Sequence, residues 1–280
     1  MNLTDLVDAA GDCGFDDVEF IERAARPAAL LRPTGAPPVS PADSRIGGVP
    51  WLPAGIEWPR RDGRPLAFIA QIDLASQPRV LAGQGLPSTG MLLFFYDATQ
   101  TTWGFDPKDA GSFAVIYVDT PGPPASPEWP ADVPPDARFR PVAISSEETV
   151  LLPPWESVLI EDLELDEEQA EAYQNLLEQT EGDEDQCLLG GYPDQIQGDM
   201  TLECALVAAG LYCGDATAYQ DPRLPAFRRD ALDWRLLLQV PSVDAAGMMW
   251  GDAGLLYYWI RDEDLRARRF DRSWLILQCT

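Results

Sequence analysis

Three aspartates in short polar turns are the side chains of this chain best placed to do chemistry. Asp194 and Asp199 lie in GYPDQIQGDM, and Asp252 lies in MMWGDAG. Carboxylates can trade a proton as general acid and base, or hold a hard cation between them. Gln195 and Gln197 add amide groups to the first segment, and Trp250 adds an aromatic wall to the second. Gln71, Gln239 and Gln278 each sit inside an apolar run, where an amide could read a ligand. Plainer roles compete with all of these. Asp199 or Thr201 can cap a following helix. Asp252 can hold its own backbone in a hairpin turn. The glutamines can satisfy buried backbone groups, whose neglect costs about 1–3 kcal/mol each.

The residues that are missing narrow the chemistry further. There is no histidine, which removes Ser-His-Asp and Cys-His catalysis, mixed Cys/His zinc sites and imidazole proton shuttles. No CxxC pair, GxxxxGK[ST] loop or GxGxxG turn is present. The five cysteines (Cys13, Cys187, Cys204, Cys213, Cys279) are odd in number and far apart, as reduced thiols are. The reading therefore assigns no catalytic residue, no metal and no cofactor. A carboxylate enzyme using Asp194, Asp199 and Asp252 stays as the alternative, as does a small-ligand binder using the glutamines and Trp250.

Charge is the strongest single feature. Between Arg140 and Arg223 there is no Lys or Arg, yet 20 Asp and Glu lie there, against a whole-chain net charge of −26. Thirteen fall between Glu156 and Asp185. Such a surface repels nucleic acid and anionic lipid, and steers a basic protein toward itself. The partner-binding set read from it is Glu161, Asp162, Glu164, Asp166, Glu167, Glu168, Glu171, Glu181, Asp183, Glu184 and Asp185. A solvated helix face with no partner would carry the same charges. Arg60, Arg61 and Arg64 form a small positive island, free to pair with the acids or face solvent.

These residues need elements to position them. Leu3, Leu6, Val7 and Ala10 recur at helical spacing, as do Phe20, Ile21, Ala24 and Ala25 before Pro27. Residues 33–43 read as a linker. Leu66–Leu74, Met91–Tyr96 and Phe113–Val118 read as strands, as do Phe139–Ile144 and Trp155–Ile160. Asp166–Thr180 reads as a helix with Asp166 and Gln169 forming a capping box. Thr201–Ala209 reads as a second helix. Leu232–Val240, Leu255–Ile260 and Trp274–Cys279 return to strand, with a short helix over Asp262–Phe270. The two halves echo each other: GGVP, FIAQIDL and GMLLFFYD in the first, GGYP, LLLQVPS and GLLYYWIRD in the second. The pattern predicts an α+β protein, mainly antiparallel sheet, in two related lobes with peripheral helices. It is read as one domain: a helical extension over 1–43, lobe one over 44–140, an acidic helical segment over 141–185, and lobe two over 186–280.

Several of these segments, above all SRIGGVPWLPAGIEWP, GYPDQIQGDM and MMWGDAG, resemble the YwqG-like bacterial family of unknown function across residues 44–279. The resemblance implies an α+β fold around antiparallel sheet and no settled activity. Members of that family sit in bacterial cytoplasm, some beside secreted polymorphic toxins, which implies an immunity role. The long acidic helix and its Asp/Glu-rich tail depart from that pattern. No stretch of about 18 apolar residues exists to span a bilayer, and the first residues lack a signal-peptide pattern. The expectation is a cytoplasmic, non-catalytic binding protein for a basic partner, in its sharpest form a cognate toxin, with no nucleic acid or membrane bound and the oligomeric state open.

Overall fold

Each half of the chain carries a Gly-Gly-x-Pro turn, and these two turns set the plan of the sheet. The computed structural model describes residues 1–122, 128–161, 163–180, 182 and 187–280. Gly47 (φ +67°) and Gly191 (φ +75°) take left-handed backbone. A Cβ on Gly47 would land on the Arg140 carbonyl, and one on Gly191 would lie 2.7 Å from the Ala28 Cβ. Only glycine meets both demands without strain.

The strands are β1 (Arg26–Pro33), β2 (Arg45–Ile46), β3 (Arg60–Arg61), β4 (Arg64–Pro65), β5 (Ala67–Asp73), β6 (Met91–Tyr96), β7 (Phe113–Val118), β8 (Val142–Leu151), β9 (Cys187–Gly190), β10 (Trp234–Pro241), β11 (Leu255–Arg261) and β12 (Trp274–Gln278). Ten form one sheet in the order β7-β6-β5-β2-β8-β1-β9-β10-β11-β12, and β3-β4 is a separate hairpin. Every neighbouring pair is antiparallel. The helices are α1 (Leu3–Cys13), α2 (Val18–Ala24), α3 (Val80–Gly83), α4 (Val158–Glu161), α5 (Glu167–Thr180), α6 (Thr201–Ala208), α7 (Leu224–Ala231) and α8 (Asp262–Arg266).

The echo between the halves is geometric. Gln71 faces Arg45, two residues before the first Gly-Gly, and Gln239 faces Leu188, two residues before the second. Both glutamine strands slip register just ahead, between Phe68 and Ala70 and between Leu236 and Leu238. Gln71 then faces Leu93 and Gln239 faces Tyr257, each three residues after a glycine. The halves run outward from a shared centre, β8 and β1, so their strands join one sheet.

That sheet curls until its ends meet. Phe94 of β6 packs edge-on against Tyr258 of β11 at 5.0 Å, and the Tyr258 hydroxyl donates to the Phe95 carbonyl. Phe113 of β7 meets Trp274 of β12 at 5.1 Å, and the Leu277 N–H bonds the Trp103 carbonyl at 3.0 Å. The main core fills the inside, where Leu92, Phe94 and Tyr96 meet Leu256, Tyr258 and Ile260. Outside, α6 and α7 cover Trp234, Leu236, Tyr257 and Trp259, while Leu52 covers Leu93 and Phe95, with Trp58 packed alongside. The aromatic strands are thus buried on both faces, which explains why they read as continuous apolar runs instead of alternating.

Some elements differ from the sequence reading. Residues 26–33 are a strand near the centre of the sheet, although Pro27 and Pro33 argue against one. Trp155–Ile160 is a turn leading into α4, not a strand. Pro153 and Pro154 lack the N–H that would extend the β8 ladder, and the Ser157 N–H folds back on the Pro154 carbonyl. Strand β8 starts later than Phe139, at Val142 opposite β2, and runs on through polar Ser145–Thr149 because β1 pairs with it from Ile144 to Leu151. Helix α7, with Pro225 in its first turn, and strand β9 are both unanticipated. Among the described residues no helix is long and apolar enough to cross a membrane.

Candidate functional site

Helix α5 begins where Asp166 accepts from the Gln169 N–H at 2.9 Å and the Gln169 side chain accepts from the Asp166 N–H at 3.1 Å. This is the reciprocal cap the sequence implied. Its apolar face, Ala172, Tyr173 and Leu176, is buried against α1 and α2. Tyr173 packs on Phe15 at 5.1 Å and donates to the Pro153 carbonyl at 2.7 Å. With that stripe fixed inward, Glu164, Asp166, Glu167, Glu168, Glu171 and Glu178 are held exposed. Glu161 is exposed too, but it bonds Arg228 of α7 at 2.6 Å. Asp162, Glu181, Asp183, Glu184 and Asp185 lie outside the described residues. The arginine island stays apart from these acids: Arg60 pairs with Asp132 at 2.7 Å, and Arg61 donates to the Lys108 carbonyl.

A groove of about 440 Å³ runs between the end of α5 and the loop after β9. Leu152, Trp155, Leu177, Leu188 and Ile196 give it an apolar floor, and Glu156, Glu178 and Asp194 give it an acidic rim. Among the described residues no basic side chain lines it. Its far wall is Tyr192, Pro193 and Gln195, whose other side closes a smaller cavity containing Arg26 and Asp199.

The glutamines are committed to the backbone. Gln71 accepts from the Trp51 N–H at 2.8 Å and donates to the Pro41 and Asp43 carbonyls, both at 3.0 Å. Gln239 accepts from the Asp194 N–H at 2.9 Å, the equivalent position after the second Gly-Gly turn. Gln278 accepts from the Ile196 and Gln197 N–H groups and donates to the Gly198 carbonyl. Together, Gln239 and Gln278 anchor the loop that walls the groove. Asp199 accepts from the Thr201 N–H and hydroxyl at the start of α6. Trp250 is fully buried, its indole N–H on the Pro241 carbonyl at 3.0 Å.

The three aspartates do not converge. Asp194 lines the groove and Asp199 the smaller cavity, whereas Asp252 lines neither and stands exposed on its turn. Its backbone carbonyl receives the Thr280 hydroxyl at 3.0 Å. Among the described residues no three Cys, Asp or Glu side chains gather as metal ligands do.

The sequence reading missed Glu203 of α6. Burial, reinforced by the nearby Asp199 charge, lifts its carboxyl to about 7, against the lowering effect of the Tyr219 hydroxyl. One of its oxygens is buried with no partner. The thiols of Cys204 and Cys213 are buried nearby, and burial pushes Cys213 up to about 12, far from a reactive thiolate.

No curated protein matches this chain. Residues 44–279 match the family model of a domain of unknown function, DUF1963. That span takes in β2 to β12 and the whole groove, and the chain belongs to the DUF1963 family.

Proposed function

We propose that this protein is a non-catalytic, cytoplasmic binding protein whose acidic face engages a basic protein segment. The observation that carries the reading is the exposed acidic face of α5 and of the loop that leads into it. Glu164, Glu167, Glu168, Glu171 and Glu178 stand clear of every ion pair among the described residues. Glu178 lies on the rim of the apolar-floored groove. Unpaired like charges cost the free protein some self-repulsion and favour an oppositely charged partner. The apolar floor offers such a partner a place to bury a large side chain. In its sharpest form the protein is a YwqG-like immunity protein that neutralises a basic toxin domain. The matching Gly-Gly turns, bulges and glutamines further support descent of the two halves from one duplicated unit.

The test uses displayed peptides carrying Lys or Arg around one bulky apolar residue, selected on the wild-type protein. The combined variant Glu164→Gln, Glu167→Gln, Glu168→Gln, Glu171→Gln should bind the selected peptides about tenfold or more weakly, the scale of electrostatic steering. Equal affinity for the two proteins contradicts the reading.

A further inference from the structure

Behind Tyr192 lies a small cavity, of about 30 Å³, lined by two tryptophans whose indole N–H groups have no partner. Its walls include Arg26 of β1, Ser157, Tyr192, Asp199, Trp234 of β10 and Trp259 of β11. Trp234 faces Arg261 and Trp259 faces Leu236 in the β10–β11 ladder, which puts both indoles on one side of the sheet. They are 3% and 2% exposed, and neither indole N–H has a hydrogen-bond partner. An orphaned buried donor costs about 1–3 kcal/mol. Two in the wall of one cavity need a common explanation.

Arg26 supplies the charge. Its guanidinium lies 4.2 Å from the centre of the Tyr192 ring, and burial lowers its pKa. Among the described residues it forms no ion pair. Asp262, which acts on it from a distance, is bonded to Arg266 at 2.7 Å and paired with Arg235 at 3.6 Å. The buried Ser157 hydroxyl accepts from the Leu159 N–H, leaving its own proton to give. Among the described residues Asp199 is the one carboxylate in the wall, and it is bonded to Thr201.

We propose that this cavity binds a small carboxylate, gripped by the Arg26 fork and by the Trp234 and Trp259 indole N–H groups. A guanidinium matches a carboxylate with two parallel bonds. The cavity has room for two or three waters, hence for a group of a few heavy atoms. A phosphate is bulkier, and its second negative charge would sit against Asp199.

The nine tryptophans make this directly visible, one indole N–H signal each in a nitrogen–proton correlation spectrum. Trp234→Phe and Trp259→Phe identify the two signals by deleting them. Acetate should shift both, saturating at about 1–10 mM, the range open to so small a ligand, while the other indoles stay still. Arg26→Gln should weaken binding about tenfold or more. If that variant does not fold, Ser157→Ala replaces it, with a loss of about threefold expected. Three results would overturn the proposal: no shift with acetate, leaving water as the occupant; the same shift with chloride or phosphate at matched ionic strength; or wild-type affinity in the folded variant. The test does not involve α5, so its outcome is separate from that of the peptide experiment.

Discussion

Single residues show how little a side chain's type reveals about its task. Gln71, Gln239 and Gln278 were legible as amides that would need partners, and the partners are loop backbones. Asp199 was legible as a helix-starting residue. Arg26, Trp234 and Trp259 were not legible as a group, because only the sheet order β1-β9-β10-β11 brings them together. Glu203 escaped for a different reason: on its helix it is one polar residue in a first turn, and only the packing of α6 encloses one of its carboxyl oxygens. Its carboxyl sits at about 7, against 4.5 when unperturbed. Between those values the native state holds a proton that the unfolded state has released, so stability falls as pH rises from 4.5 to about 7. Glu203→Gln should flatten that part of the pH profile and stabilise the protein by about 3 kcal/mol at pH 8. Urea unfolding of both proteins at pH 4.5 and pH 8 measures it. A constant difference between them at the two pH values contradicts the assignment.

At the level of elements, the aromatic strands and α5 were legible because apolar runs and caps are local signals. Strand β1 was not, since its two prolines argue against a strand and its partners β8 and β9 are distant in sequence. Strand β8 was half legible: its polar stretch has no apolar pattern and is fixed by pairing alone. The Gly-Gly turns were legible as turns, but their severity comes from what stands opposite. Gly191→Ala puts a Cβ into left-handed backbone and 2.7 Å from Ala28, where β1 meets β9. It should cost about 3 kcal/mol or more in denaturant unfolding. Gly35→Ala has similar backbone, φ +72°, but open space around it, and should cost only about 1–2 kcal/mol. Equal losses would mean that contact with β1 does not set the requirement.

For the whole molecule, strand order matters more than the boundary of the family match. The match begins at residue 44, yet β1 lies between β8 and β9 and joins the two halves. A chain trimmed to residues 44–280 should expose two unpaired strand edges in mid-sheet and aggregate. A chain trimmed only to residues 26–280 keeps β1 and should stay soluble at low concentration, with α5 loosened by the loss of its α1 and α2 contacts. Size-exclusion chromatography separates these outcomes, and a monomeric, cooperatively folding 44–280 chain contradicts the bridging role of β1.

The charge asymmetry, legible from composition, becomes a surface because α5 turns its one apolar stripe inward and leaves its acids outside. The account therefore rests on where a partner touches. Backbone amide hydrogen exchange, with and without the selected basic peptide, tests this most directly. The account predicts slowed exchange in α5 and in residues 191–198 along the groove, fading as salt is raised. Protection confined to other parts of the sheet, or unchanged by salt, would contradict it.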